Sequence, residues 1–237
     1  MKSPGFVARS GSRKRIFFIT GTDTGVGKTV LTALLARFWR ERCVNVAALK
    51  PICSGGRDDA RVLHTASDGA LTLDEINPWH FRAPIAPVLA ARRERRPVEL
   101  SEVLAHIRAI QKRFDVLLVE GAGGLLSPLG GDFNSRDLIA ALRAMPMVVC
   151  PNRLGAVNQV LLTLEALPRG ARRQTRVVLM SPPKLDTATK TNASLLAEHF
   201  DRKRIFLLPW LGKTPTATKV LKSHRVGGVL RALAGKV

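Results

Sequence analysis

The sequence predicts an α/β fold, a single domain on a mostly parallel central sheet with helices on both faces. Three observations lead there. Short runs rich in Val, Ile and Leu alternate with longer segments of helical periodicity, the pattern that a parallel sheet joined by crossover helices requires. The 237 residues, 46% hydrophobic, suffice for one large core and show no internal repeat or long linker. The first apolar run ends in a glycine-rich string, G-T-D-T-G-V-G-K-T at 21–29, which leads into an amphipathic stretch from Val30 to Trp39.

Taken in order, the first strand is expected at 16–20 and a helix at about 27–42 follows the glycine-rich turn. A strand at 44–50 ends at Lys50-Pro51, and a helix at 58–66 opens on Asp58 and Asp59. Pro78, Pro84 and Pro87 mark 77–96 as a loop-rich insertion lying partly over the strand ends. Helices at 99–113, 135–144, 155–167 and 188–200 then alternate with strands at 116–120, 147–150, 177–180 and 205–208, before a last helix near 217–234. Residues 1–14, rich in Ser, Gly and basic residues and without an acid, read as a disordered tail, leaving 15–237 as the folded domain. A transit peptide shares that composition, but the stretch is short.

Composition narrows the classes of function. No segment approaches the roughly 18 consecutive apolar residues of a membrane span, and no secretory signal pattern is present, so a soluble cytoplasmic protein without a membrane partner is expected. Cys43, Cys53 and Cys150 lack C-x-x-C spacing and are odd in number, which argues against a zinc site or a disulfide framework. The five histidines are scattered and show no i, i+4 pair. Lys plus Arg exceed Asp plus Glu by 38 to 18, a formal net charge of +20. That excess suits anionic surfaces or nucleic acid, but the basic residues are dispersed, little interleaved with aromatics, and no tyrosine is present to stack on a base. A solvated surface is the reading adopted, with no specific nucleic-acid partner.

The chemistry is expected at the carboxyl ends of the strands, where ligands bind in such sheets. Gly21, Thr22, Asp23, Thr24, Gly25, Val26, Gly27, Lys28 and Thr29 form a variant P-loop. Its backbone N–H groups and the helix start would cradle phosphates, Lys28 would neutralise the outer ones, and the Thr29 hydroxyl can ligate magnesium. The variation is Thr22, where the strict pattern has glycine; an ordinary turn before a helix is the alternative. The apolar strand 116–120 ends in Glu120 and the small residues Gly121 to Gly124, as in a Walker-B strand, although an N-cap or surface carboxylate would look the same. Either Asp58 or Asp59 caps the following helix, and the other, Asp59 by preference, can add a carboxylate to the metal. Lys50 is either a solvated charge or a second cation for phosphate and substrate oxygens. The junction Pro151 to Asn158 offers a helix N-terminus that can hold a carboxylate, or is a routine loop-to-helix transition.

Together these segments resemble the dethiobiotin synthetase family of P-loop NTPases, from about Ile16 to Trp210. The resemblance is carried by G-T-D-T-G-V-G-K-T at 21–29, K-P-I-C-S-G at 50–55, N-P-W-H-F at 77–81, R-P-V-E at 96–99, V-E-G-A-G-G at 119–124, R-L-G-A-V-N at 153–158 and L-P-W at 208–210. It implies a cytoplasmic homodimeric ligase that uses ATP and Mg2+ to join carbon dioxide to 7,8-diaminononanoate and close a cyclic urea. Lys28, Lys50, Thr24 and Ser54 would act on the reacting groups, and Thr29, Asp59 and Glu120 would hold magnesium. Gly121, Gly123 and Pro209 would join the P-loop around the nucleotide. Gly155, Ala156, Val157 and Asn158 would receive the substrate carboxylate, in this family from the neighbouring subunit.

This chain departs from the family after the strand at 177–180. Where the family carries an asparagine that reads the adenine edge, it has Met180-Ser181-Pro182-Pro183, which leaves base preference open. Two rivals belong to the same superfamily. A MinD/ParA-type switch ATPase would have its signature lysine at position 23, which is Asp23; a ligase acting on another amine keeps the whole constellation.

Overall fold

The computed structural model describes residues 14–212 and 223–235. Six strands form the central sheet: β1 (Arg15–Gly21), β2 (Val46–Leu49), β5 (Val116–Glu120), β6 (Met145–Pro151), β7 (Arg176–Met180) and β8 (Ile205–Leu208). Their order is β2-β5-β1-β6-β7-β8 and every pairing is parallel. β1 lies inside the sheet, paired to β5 from Arg15↔Val116 and to β6 from Phe17↔Met145, and Phe17, Phe18 and Ile19 are fully buried. A strand covered on both faces must be apolar throughout, which is why these runs do not alternate.

The chain leaves β1 for the edge at β2 and returns through β5, then crosses beyond β1 to β6, β7 and β8. Right-handed crossovers in opposite directions put helices on opposite faces. One face carries α1 (Lys28–Arg40), packed on α2 (Asp58–Ala66) and on the last helix, α10 (His224–Ala234). The other is covered by α5 (Leu100–Gln111), α6 (Ser135–Leu142), α7 (Ala156–Ala166) and α9 (Thr187–Ala197). α1 is buried along most of its length, with Leu31, Leu34, Leu35 and Phe38 in the core and Trp39 against Phe17 at 5.3 Å between ring centres. The reversal of direction at β1 opens a crevice at its carboxyl end.

The connection between β2 and β5 is more structured than expected. Residues 77–96 contain the strand β4 (Trp79–Phe81) and the helix α4 (Pro87–Arg93), and β4 pairs in parallel with β3 (Ile52–Ser54) as a separate two-stranded sheet. The prolines do not break these elements: Pro87 stands in the first turn of α4, where no N–H is needed, and Pro84 precedes it. The short α3 (Leu73–Ile76) opens on a reciprocal capping box of Thr72 and Glu75. Strand β2 is shorter than 44–50 because the chain turns at Pro51, and the short α8 (Arg169–Arg172) follows α7. The tail at 1–13 and the first residues of the helix expected near 217–234 lie outside the described residues. Among the described residues no helix is long and apolar enough to cross a membrane.

Candidate active site

The glycine-rich turn after β1 wraps the start of α1. Gly27 caps that helix with φ of 99°, a left-handed geometry that side chains resist, and its absent Cβ would sit 3.0 Å from the Met180 side chain. Lys28, the first helical residue, is 5% exposed and folds back so that Nζ donates to the Asp23 carbonyl at 2.8 Å. Burial pushes its pKa down to about 8, the nearby Lys50 charge adds to the effect, and Glu120 and Asp59 oppose it. The Asp23 carboxylate accepts from the Thr24 N–H, so it bonds within the loop itself.

Glu120, at the carboxyl end of β5, is 1% exposed and anchors the site. Its Oε1 accepts from Thr29 Oγ1 at 2.7 Å and from Lys50 Nζ at 2.6 Å. Lys50 also donates to Asp59 Oδ2 at 2.9 Å, so one buried ammonium bridges two carboxylates from different elements. Burial alone would lower the Lys50 pKa; Glu120 and Asp59 outweigh it and hold the group well above the ordinary lysine range. Burial likewise works to raise the Asp59 pKa, and Lys50 pulls it net below the usual carboxylate value. Glu120 Oε2 has no hydrogen-bond partner among the described residues although it is buried. Such an atom beside a hydroxyl and a second carboxylate is a fitting donor for a hard cation, because an unpaired buried carboxylate oxygen is costly. No group of three or more His, Cys, Asp or Glu among the described residues forms an all-protein metal cage.

A cavity of about 530 Å³ opens beside this cluster. Thr24, Lys28, Lys50 and Ser54 line it, together with Pro84 to Pro87 and with Ala122, Gly123 and Ser127. Ser54 Oγ donates to the Ile85 carbonyl at 2.6 Å and thereby ties the 84–87 segment over the opening. Gly123 takes a φ of +67°, and a Cβ there would fall 2.4 Å from Ser127 Oγ, so only glycine fits. Gly121 is packed against Ser135 and the Phe18 ring.

Lys28, Thr29, Lys50, Asp59 and Glu120 therefore meet in one cluster, with Thr24, Ser54 and Gly123 on the adjoining cavity. Asp58 takes no part and pairs with Arg61 on the surface. The remaining expected residues lie apart. Gly155, at φ of 87°, caps α7; Ala156 is buried, Val157 half-buried and Asn158 exposed, and none of the four lines the cavity of its own chain. Pro209 follows β8, next to Ser181, whose N–H bonds the Leu208 carbonyl.

One positioning residue escaped the sequence reading. Asn77, fully buried, donates to the Lys50 carbonyl at 2.7 Å, while the Cys53 thiol donates to its Oδ1 at 3.2 Å. It holds the backbone of the bridging lysine, and its only local signal was an Asn-Pro pair that reads as a turn. Beyond the phosphate loop, Asn152 and Asn192 pair in the interior, Asn192 donating to Asn152 Oδ1 at 2.8 Å.

A parallel sheet with a glycine-rich turn after β1, a buried lysine–carboxylate cluster and a cavity beside them have the build of a P-loop protein. A family profile described as "AAA domain" matches residues 15–218. The ATP-dependent dethiobiotin synthetase BioD of Anaeromyxobacter dehalogenans (strain 2CP-C) is 41% identical over 201 residues, 83% of this chain and 90% of that protein. The proteins of the same name from Akkermansia muciniphila and Bacillus subtilis (strain 168) are 38% and 34% identical, covering 79% and 88% of this chain and 88% and 90% of theirs. The chain belongs to the dethiobiotin synthetase family. In fold it is also similar to a ParA family ATPase from Chlorobium tepidum TLS, with a TM-score of 0.53 at 15% identity over 94% of this chain and 99% of that one.

Proposed function

We propose that the protein carboxylates 7,8-diaminononanoate with carbon dioxide and closes the ring to dethiobiotin, converting MgATP to ADP and phosphate, within one ligase domain spanning 15–237. The observation that carries this reading is the cavity itself, lined by Lys28 and Thr24 of the glycine-rich turn together with Lys50 and Ser54. A small acceptor held there lies next to the outer phosphate. One substrate amine adds to carbon dioxide and loses a proton, giving a carbamate. The carbamate oxygen then takes the γ-phosphoryl group from ATP, releasing ADP and forming a carbamic-phosphoric anhydride. The second amine attacks the carbonyl carbon and expels phosphate, closing the urea.

The chain contributes position and charge more than covalent chemistry. Lys28 neutralises the transferring phosphoryl group, and Lys50, fixed by two carboxylates, faces the carbamate. Thr24 and Ser54 hydrogen-bond the reacting amines and carbamate. The residues from Gly21 to Thr29, with Gly121, Gly123 and Pro209, surround the nucleotide. Thr29, Asp59 and Glu120 would hold Mg2+, which when bound would offset phosphate charge; the unpartnered Glu120 Oε2 supports that assignment.

Gly155, Ala156, Val157 and Asn158 bind the substrate carboxylate from the second subunit of a homodimer. Their absence from the cavity lining of their own chain supports this, as do the exposed Leu126 and Leu162, 52% and 62% accessible, which share a cleft with Thr22 and Asp23. The protein works in the cytoplasm on these small molecules. Phosphate release with magnesium, bicarbonate and ATP, measured with and without the diamine while dethiobiotin is followed by mass, tests the reading. Diamine-dependent release with product supports it; release that ignores the diamine, or none, refutes it.

A further inference from the structure

The enzyme reading leaves a net charge of +20 without a use, and the fold sorts much of that charge to one end. All six strands of the central sheet run the same way, so the segments that precede them share the end opposite the active site. Each strand has at least one basic residue at its start or within four positions before it. Lys14, Lys112, Arg113, Arg143, Arg173 and Lys203 are all exposed there. Of these, Arg113 pairs with Glu75, whereas Lys112, Arg143, Arg173 and Lys203 form no ion pair among the described residues. The acids of the same segments are fewer: Glu41 is taken by Arg37 and Asp201 by Arg204, which leaves the half-buried Asp115 before β5.

Like charge also crowds inside the face. Arg176, at the start of β7, has its pKa lowered by burial first and then by the charges of Arg204, just before β8, and Arg15, at the start of β1. A cleft of about 620 Å³ between the starts of β1 and β6 is lined by Lys14, Arg15 and Arg143 with the amides of Gln111 and Gln174, and by no carboxylate. With Lys112, Arg143, Arg173 and Lys203 making no ion pair among the described residues, the like charge on this face costs stability through self-repulsion, which an external polyanion would relieve.

We propose that this strand-start face docks duplex DNA through its phosphate backbone, without reading sequence. Five strand spacings of ~4.8 Å make the row of six strand starts ~24 Å wide, which spans about seven phosphate steps of one duplex strand at ~3.4 Å per residue and leaves room for about six contacts. None of the exposed large hydrophobic side chains among the described residues lies in the segments that form this face. Membrane insertion needs such groups and single-stranded binding needs exposed aromatics for stacking, so a duplex with outward phosphates is the occupant that fits.

The test uses two fluorescent duplexes of about 30 base pairs and unrelated sequence, with anisotropy followed against salt. The unaltered protein should bind both equally, with a log–log salt slope of about −5, the value for about six phosphate contacts. The variant Lys112→Glu/Arg173→Glu/Lys203→Glu should bind at least about tenfold more weakly at 0.1 M salt, with a slope about three units shallower. A control of equal charge change, Arg136→Glu/Lys190→Glu/Arg225→Glu, alters exposed positions in the first turns of α6, α9 and α10. It should keep affinity within about threefold. Circular dichroism melts confirm that both variants fold. Equal losses in the two variants would mean that net charge alone attracts DNA and would overturn the proposal. No binding by the unaltered protein at 0.1 M salt, or a tighter hold on anionic vesicles or on single strands of equal length, also overturns it.

Discussion

Burial of Lys28 makes nucleotide binding depend on pH in a way that can be worked out in advance. In the free protein its pKa is lowered to about 8, and a bound triphosphate replaces the Asp23 carbonyl with phosphate oxygens that keep the ammonium charged. Affinity then falls as the free protein loses this proton, so the dissociation constant scales as one plus ten to the power of pH minus pKa. With a pKa of about 8, that factor is about 1.1 at pH 7, about 2 at pH 8 and about 11 at pH 9. Lys50 stays charged throughout because Glu120 and Asp59 hold its pKa above the ordinary lysine range. The assay is equilibrium binding of a non-hydrolysable ATP analogue with magnesium from pH 7 to 9, in the unaltered protein and in Lys28→Ala. The first should weaken about tenfold across the range and the second should be weak and flat. The same depressed pKa means that the unfolded chain holds more protons than the folded one between about 8 and 10.5, so the ligand-free protein gains stability from Lys28 as pH rises through that window. Unchanged affinity from pH 7 to 9 would refute the placement of Lys28 as a buried phosphate ligand.

Three further outcomes are expected. Glu120→Gln removes the charge that Thr29 and Lys50 share and should raise the magnesium needed for half-maximal turnover at least about tenfold; an unaltered magnesium titration would take Glu120 out of the metal site. Asn77→Ala deletes a buried hydrogen bond to the Lys50 carbonyl and should cost about 2–4 kcal/mol in chemical denaturation, whereas a loss below about 0.5 kcal/mol would show that Lys50 is held by other means. After β7, Ser181-Pro182-Pro183 offers a hydroxyl but no side-chain amide to a base, so kcat/KM should differ less than about tenfold among ATP, GTP and CTP; a preference above a hundredfold for ATP would place a base-reading group elsewhere.

Local sequence was enough wherever a residue's task is set by its own segment. The apolar runs of β1, β5 and β6 could be recognised because buried parallel strands carry no polar alternation, and the phosphate loop because its glycines take backbone angles that side chains resist. The order of these pieces also carried the family, since strand-end motifs in a parallel sheet necessarily meet at one edge. The 77–96 insertion was misjudged as loop because three-residue strands such as β4 have no periodicity to detect, and a proline at a helix start looks the same as one in a turn.

What the sequence by itself determined is the class of site: a strand, a glycine cradle, a lysine and a threonine in fixed succession, and a second strand ending in a carboxylate. Tertiary structure alone decided the rest. That Lys50 bridges Glu120 and Asp59 depends on packing β2 beside β5 and docking α2 against α1, contacts between segments up to 70 positions apart. That Lys28 has a depressed pKa depends on how much solvent the folded loop excludes. The charge of +20 was legible as a number from composition, but its collection at one end follows from six strands running in the same direction, because parallel pairing brings distant strand starts to a common face.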